Sequence, residues 1–553
     1  MRFLRGILNI LDRRERARLF TLIFWDTLIG ALDVAFLAML LVVVNFYIKN
    51  ASLPYIYLLP RSLADRNSVL LLGVFLILFT LKNLLAYWVS GRGYRFIYDT
   101  ASRLSERNMC HFLKDDYIKY INTDSAVLIR SISQQPIEFS TYILTNFRQI
   151  ITETALILFT VAAILFYKPT LFLLLFLLLM PAIVLLGWLL KRQLKQVRNN
   201  IKKTSSDTLK NLKEALAGYI ESNVYNKGEF FVDRYAGQQR QLNHNIRVQQ
   251  TLQALPSRLI EIFAILGFFI LILVSKWLGN GAVDLLTIGV FLAAAYKIIP
   301  GTVKILNSAG QMKTYEFTLH DLLQSDIRKA GLNEHADAIR SIRFEKVHFK
   351  YADKPVLAGC DFEINAGEMI GFSAGSGRGK TTLINILLGF MEQQEGLVCI
   401  NDKITSASER KQFRHKISYI KQQPFFIHDT ITRNITLQDG NCDENKLKEV
   451  AGFCELDQVV AQHPDGFDQV ITENGKNLSG GQRQRIMLAR ALYHDFDLLI
   501  LDEPFGELDQ CSENLILQKL QSVAAQGKMI LFVTHSRQSL SYCSKTVSFD
   551  EQG

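Results

Sequence analysis

The chain has 553 residues, too many for a single hydrophobic core, so at least two domains are expected. Its 62 Lys and Arg outnumber 52 Asp and Glu by +10, but the basic residues cluster beside apolar runs and form no aromatic-studded patch. A membrane surface is therefore the expected partner, and nucleic acid is not. The seven Cys show no metal-ligand spacing and read as free thiols.

Residues 1–18 carry Arg2, Arg5, Arg13, Arg14, Arg16 and Arg18, with Phe3, Leu4, Ile7, Leu8 and Leu11 on one helical face. That pattern predicts an interfacial helix on the inner leaflet. A signal peptide is the rival reading. The following apolar run, 19–47, is too long for a signal h-region and has no small-residue cleavage site.

A membrane helix needs about twenty mainly apolar residues. Six runs qualify: 19–47, 68–90, 144–167, 170–190, 257–278 and 285–307. The connections at 48–67, 168–169 and 279–284 are short and carry few charges, whereas 91–143 and 191–256 are long, and the latter is rich in Lys and Arg. The positive-inside bias puts both termini in the cytoplasm. Stretches such as Thr208 to Tyr225 keep helical apolar spacing, so the membrane helices are expected to continue into the cytoplasm and turn there.

Ionisable residues inside spans are costly and therefore informative. On the last span Lys297, Gly301, Lys304, Ser308 and Gln311 share one face, turned away from lipid. Lys82, Arg148 and Arg258 sit towards the inner ends of other spans, as do Asp26, Glu153 and Glu261. Two readings stay open. The groups form ion pairs between helices, or Lys82, Arg148, Arg258, Lys297 and Lys304 line a cavity for an anionic substrate.

A polar linker at 321–340 precedes a soluble α/β domain at 341–553. Within it, Ala374-Gly375-Ser376-Gly377-Arg378-Gly379-Lys380-Thr381-Thr382 follows an apolar strand and opens an apolar helix. This is a phosphate cradle. Backbone N–H groups close around a polyphosphate, Lys380 supplies a point charge, and the Thr381 hydroxyl suits Mg2+. Ala374 stands where the pattern has its first Gly, and Ala lacks some of the backbone conformations open to Gly. About a hundred residues on, Asn477-Leu478-Ser479-Gly480-Gly481-Gln482 precedes an apolar strand that ends in Asp502-Glu503.

In this order and spacing the motifs resemble those of the ATP-binding cassette (ABC) transporter family, and the resemblance covers the whole chain. It implies a membrane domain of six long helices at 1–320, of the ABC exporter type, joined to an α/β P-loop nucleotide-binding domain at 341–553. It also implies short coupling helices near 116–123 and 217–224. By match to the family, Tyr351 stacks on adenine, Gln422 reaches Mg2+ and the attacking water, and Asp502 is a Mg2+ partner. Glu503 is the general base and His535 contacts the γ phosphate. Leu478, Ser479, Gly480, Gly481 and Gln482 form the signature motif that completes a site in a second copy, so ATP, Mg2+ and a homodimer are implied. Asp509 belongs to the loop that crosses the dimer interface. The segment Pro504-Phe505-Gly506-Glu507-Leu508 before it departs from the family pattern.

Short matches at Lys82-Asn83-Leu84-Leu85-Ala86-Tyr87, Pro256-Ser257-Arg258 and Tyr296-Lys297-Ile298-Ile299-Pro300 resemble bacterial lipid-linked oligosaccharide flippases. The implied activity is ATP-driven export or flipping of an amphipathic, lipid-linked anionic substrate across the bacterial inner membrane. Peptide, lipopeptide or lipid A export is the alternative within the class, and a nucleotide-gated channel or regulator is the alternative outside it. The spans argue against a soluble ABC ATPase of DNA repair or translation.

Overall fold

The computed structural model describes residues 2–48, 69–114, 117–167, 200–277, 285–324, 337–351, 354–373 and 378–548. The chain divides into two units: a helical one of Met1–Asp115 and Ile121–Lys329, and a second of Ala330–Gly553 together with Asp116–Tyr120.

In the helical unit α1 spans Arg2–Ile10, α2 Arg13–Ile48, α3 Leu70–Lys114, α4 Thr145–Tyr167, α5 Gly228–Trp277, α6 Leu285–Thr314 and α7 Glu316–Gln324. Among the described residues, Arg13–Leu40 and Leu70–Lys114 are long and apolar enough to cross a bilayer. The span expected at 170–190 lies outside the described residues, so a count of six is not reached. The long inner connections are helical: α3 runs 45 residues and α5 runs 50, each well past its apolar part. Short helices stand at Tyr117–Asn122 and Tyr219–Val224, where coupling helices were expected.

The helix expected over 1–18 is corrected in its bounds, for it is broken in two. The helix breaks at Leu11-Asp12, where the Asp12 N–H donates to Glu15 Oε2 at 3.0 Å and starts a new helix. Arg103 holds the corner by donating to Glu15 at 2.6 Å and to the Ile10 carbonyl at 3.1 Å. The apolar face of α1 is covered by protein in part, while Leu4 stays 46% exposed. Ile7 and Leu11 are buried with Leu319 and Leu322 of α7, and Leu319 approaches the face of Gly6. Apolar area removed from water by a neighbouring helix is no longer free for lipid.

In the second unit an antiparallel sheet holds β1 (Ser341–Tyr351), β2 (Lys354–Asn365) and β4 (Glu395–Ile400), with β1 between the other two. Beside it lies a parallel sheet of β3 (Met369–Ser373), β5 (Ile417–Ile420), β6 (Leu498–Asp502), β7 (Met529–Val533) and β8 (Lys545–Ser548). Its order is β8-β3-β7-β6-β5. Strands β6 and β7 are buried at every position, which explains why they read as unbroken apolar runs and not as alternating ones. Helix α8 (Lys380–Leu387) follows β3, α9 (Gly480–Tyr493) precedes β6, and α10 (Gln510–Ala525) precedes β7. Tyr117 belongs to this unit, its ring 4.7 Å from that of Phe390.

Candidate functional site

Ligands of open α/β sheets bind beyond the carboxyl ends of the parallel strands. The sequence puts a polar residue at four of the five such ends: Lys380 after β3, Gln422 after β5, Asp502 and Glu503 at the end of β6, and His535 after β7. Ala374, Gly375, Ser376 and Gly377 lie outside the described residues. Gly379 does not. It holds φ at +90° as the N-cap of α8, and a Cβ there would stand 2.8 Å from the Val356 carbonyl and 2.9 Å from Leu357 Cδ2. Glycine is required on both counts. Gly379→Ala is therefore expected to cost about 1–3 kcal/mol of domain stability and to abolish nucleotide binding, as read by thermal melting and a fluorescent-nucleotide titration. An unchanged affinity would remove the turn from the site.

Lys380, Gln422, Glu503 and His535 meet around one carboxylate. Lys380 Nζ donates to Glu503 Oε1 at 2.6 Å, and Gln422 Nε2 donates to Glu503 Oε2 at 2.7 Å. His535 Nε2 lies 2.8 Å from Glu503 Oε1 and 2.9 Å from Lys380 Nζ. Partial burial pulls the Glu503 carboxyl up, but the Lys380 hydrogen bond and charge, with His535, outweigh it and hold it below the usual range. Glu503 is thus ionised near neutrality. Its backbone sits at φ +50°, uncommon for a residue with a side chain, and its N–H donates to the Val533 carbonyl at 3.0 Å. Strain of this kind collects at functional sites, where neighbouring structure holds it in place.

Asp502 is 6% exposed. Burial raises its carboxyl above the usual range, against the lowering effect of Lys380 and a hydrogen bond with Tyr419. Thr381 is exposed on the first turn of α8. Gln422 uses its NH2 on Glu503, which leaves its carbonyl oxygen as an acceptor. The carboxylate of Asp502, the hydroxyl of Thr381 and that carbonyl form an all-oxygen donor set, which fits a hard dication such as Mg2+. Tyr351 is 46% exposed, with its ring 5.0 Å from Phe349 and its hydroxyl on Met391 Sδ. An aromatic face is open there.

The signature residues form a second cluster. Leu478 is buried in the core and Ser479 caps α9. The Gln482 N–H donates to Ser479 Oγ at 3.3 Å, and the Ser479 N–H donates to Gln482 Oε1 at 2.9 Å. This reciprocal pair fixes the start of α9 and aims Gly480 and Gly481 outwards. Asp509 caps α10 through the Ser512 N–H at 2.9 Å, a bond that holds its carboxyl below the usual range. The departure from the family pattern at Phe505 is a packing residue, 6% exposed and 5.8 Å from Phe532.

In the helical unit each of the five candidate cations has a carboxylate partner. Arg148 pairs with Asp26 at 3.0 Å, Lys304 with Glu153 at 2.6 Å and Arg258 with Glu261 at 3.3 Å. Lys82 and Lys297 share Asp33, the latter at 3.2 Å. Asp33 is the residue the sequence reading missed. It lies seven residues after Asp26 on α2, hence on the same face, and two carboxylates so placed in an apolar run were the available signal. The polar stripe on α6 meets one on α4: Ser308 donates to Gln149 at 3.3 Å and Asn146 donates to Gln311 at 2.8 Å.

Residues 357–506 match the family model described as ABC transporter. A "Probable ABC transporter ATP-binding/permease protein" of Haemophilus influenzae is 31% identical over 212 residues, 38% of this chain and 38% of that protein. An "ATP-dependent lipid A-core flippase" of Burkholderia orbicola is 27% identical over 362 residues, 63% of this chain and 60% of that protein. The chain thus spans less than two thirds of either relative. A solved bacterial Atm1-family ABC exporter with ATP bound superposes with a TM-score of 0.75 at 18% identity, covering 98% of this chain and 94% of that one. The matched segment is an ABC transporter domain with the expected cluster at its strand ends, and the chain that carries it has the ABC exporter fold: a helical N-terminal region followed by an α/β nucleotide-binding domain.

Proposed function

We propose that the chain is an ATP-driven flippase of the bacterial inner membrane that works as a pair of identical copies. The observation that carries this reading is the Lys380–Glu503–Gln422–His535 cluster at the ends of parallel strands in a chain of exporter fold. Bound ATP draws Lys380 onto its phosphates and away from Glu503. The released carboxylate takes a proton from water, which Gln422 helps to orient. Asp502, Thr381 and Gln422 would hold Mg2+, which would offset the phosphate charge. His535 donates towards the terminal phosphate. The signature residues at the start of α9 close the site of the other copy.

The cargo is proposed to be a glycolipid with an anionic headgroup, in first place a lipid-linked oligosaccharide. Lys82 and Lys297, two cations on expected spans that share the one carboxylate of Asp33, support an anionic cargo. Lipid A is the second reading, favoured by a relative that is named a lipid A-core flippase. Purified protein in proteoliposomes decides between them. A lipid-linked oligosaccharide is expected to stimulate ATP hydrolysis and to cross the bilayer in an ATP-dependent way. Stimulation by lipid A alone would move the assignment to the second reading. Passive ion conductance with neither lipid transported would replace the pump by a gate.

A further inference from the structure

Glu507 lies in the stretch that departs from the family pattern, and its side chain ends on the signature motif. A Cβ added at Gly480 would stand 1.4 Å from Glu507 Oε2, 2.5 Å from its Cδ and 2.9 Å from its Cβ. The glutamate therefore occupies the space that any side chain at 480 would take. Arg483, one turn along α9, donates to the same Oε2 at 3.1 Å, and the Glu507 N–H donates to Gln484 Oε1 at 3.0 Å. The side chain stays half exposed, at 51%. Arg483 is the contact that holds it, and its exposed side leaves room for it to turn outwards.

Helix α9 begins here, and the first N–H groups of a helix have no intrahelical partner. Ser479 takes that of Gln482, so Gly480 and Gly481 face the surface where Glu507 lies. The positive end of a helix favours a carboxylate for the same reason that it favours a phosphate. Both anions cannot hold the place at once. Arg483 increases the competition, because its guanidinium is a natural phosphate donor that Glu507 already engages.

We propose that Glu507 is a built-in competitor for the nucleotide phosphate at the signature motif, a positioning residue that sets how much ATP is needed to close the two copies. The inference rests on the paired-copy reading given above. When the terminal phosphate of the ATP held by the other copy reaches Gly480, Glu507 rotates outwards and releases Arg483. No bond is made or broken. The effect falls on nucleotide capture and leaves the hydrolytic group Glu503 untouched.

The test uses the full chain in lipid nanodiscs, with steady-state ATP hydrolysis measured against ATP concentration for wild type, Glu507→Gln and Glu507→Ala. Both variants are expected to lower KM for ATP by about three- to fivefold, the range that one charge at a helix terminus supports, with kcat within about twofold of wild type. Glu507→Gln keeps the shape and can still accept from Arg483, so a purely structural role predicts no change in that variant. A KM that is unchanged or raised in Glu507→Gln overturns the competitor role. Wild-type protein that turns over no ATP at any concentration overturns the exporter reading instead, and this is seen before any variant is compared. If Glu507→Ala fails to fold, the Gln variant alone decides the question.

Discussion

Glu503→Gln is expected to bind ATP at least as well as wild type while hydrolysing it about a hundredfold more slowly or worse, since general-base assistance is worth that much. The cluster gives this a structural basis. In the resting protein Glu503 accepts from Lys380 at Oε1 and from Gln422 at Oε2. Gln has one acceptor oxygen and one donor nitrogen, so one of these two contacts becomes donor against donor. Where Lys380 loses its partner it is freed for the phosphates, and binding does not weaken. What disappears is the carboxylate that Lys380 and His535 hold ionised. Steady-state phosphate release together with retention of labelled nucleotide measures both halves of the expectation. Hydrolysis within a few fold of wild type would remove Glu503 from the base role.

The strand-end cluster was legible in the sequence because its grammar is local. An apolar strand, a glycine turn and an apolar helix can be recognised over about twenty residues, and each chemical group follows directly on a strand. The parallel order β8-β3-β7-β6-β5 then gathers Lys380, Gln422, Glu503 and His535 without further information. What stayed hidden depends on packing between distant segments. Asp33 pairs with Lys82 and Lys297 across three helices, and nothing local announces this. Glu507 reaches Gly480 because the loop after β6 folds back on α9, although the two are separated in sequence by a whole strand. The bounds of the first helix were missed for a different reason. Its amphipathic pattern is real, but periodicity records only that one face is apolar and not where the helix breaks or whether lipid or α7 covers it.

The largest stability effect is expected in the helical unit, from removing both cations that face Asp33. Lys82 is 8% exposed, and the Asp33 carboxylate that accepts from it also accepts from Lys297 at 3.2 Å. Lys297→Met alone leaves Lys82 in place and is expected to be tolerated, since Met keeps the apolar volume of the stem. Lys82→Met with Lys297→Met strands an ionised carboxylate among apolar helices. That should cost about 3–5 kcal/mol, visible as a large drop in thermal midpoint in detergent. Adding Asp33→Asn removes the last charge of the set, and stability is expected to return, because the penalty comes from the uncompensated ion and not from the lost contacts. This neutral triple variant also separates the two readings of the cations. If it folds, hydrolyses ATP and still flips lipid, Lys82 and Lys297 serve the helices alone. If it folds and hydrolyses ATP while translocation of the anionic lipid is lost, they meet the cargo as well as each other's partner. A double variant as stable as wild type would show that Asp33 is not held as an ion by these two lysines.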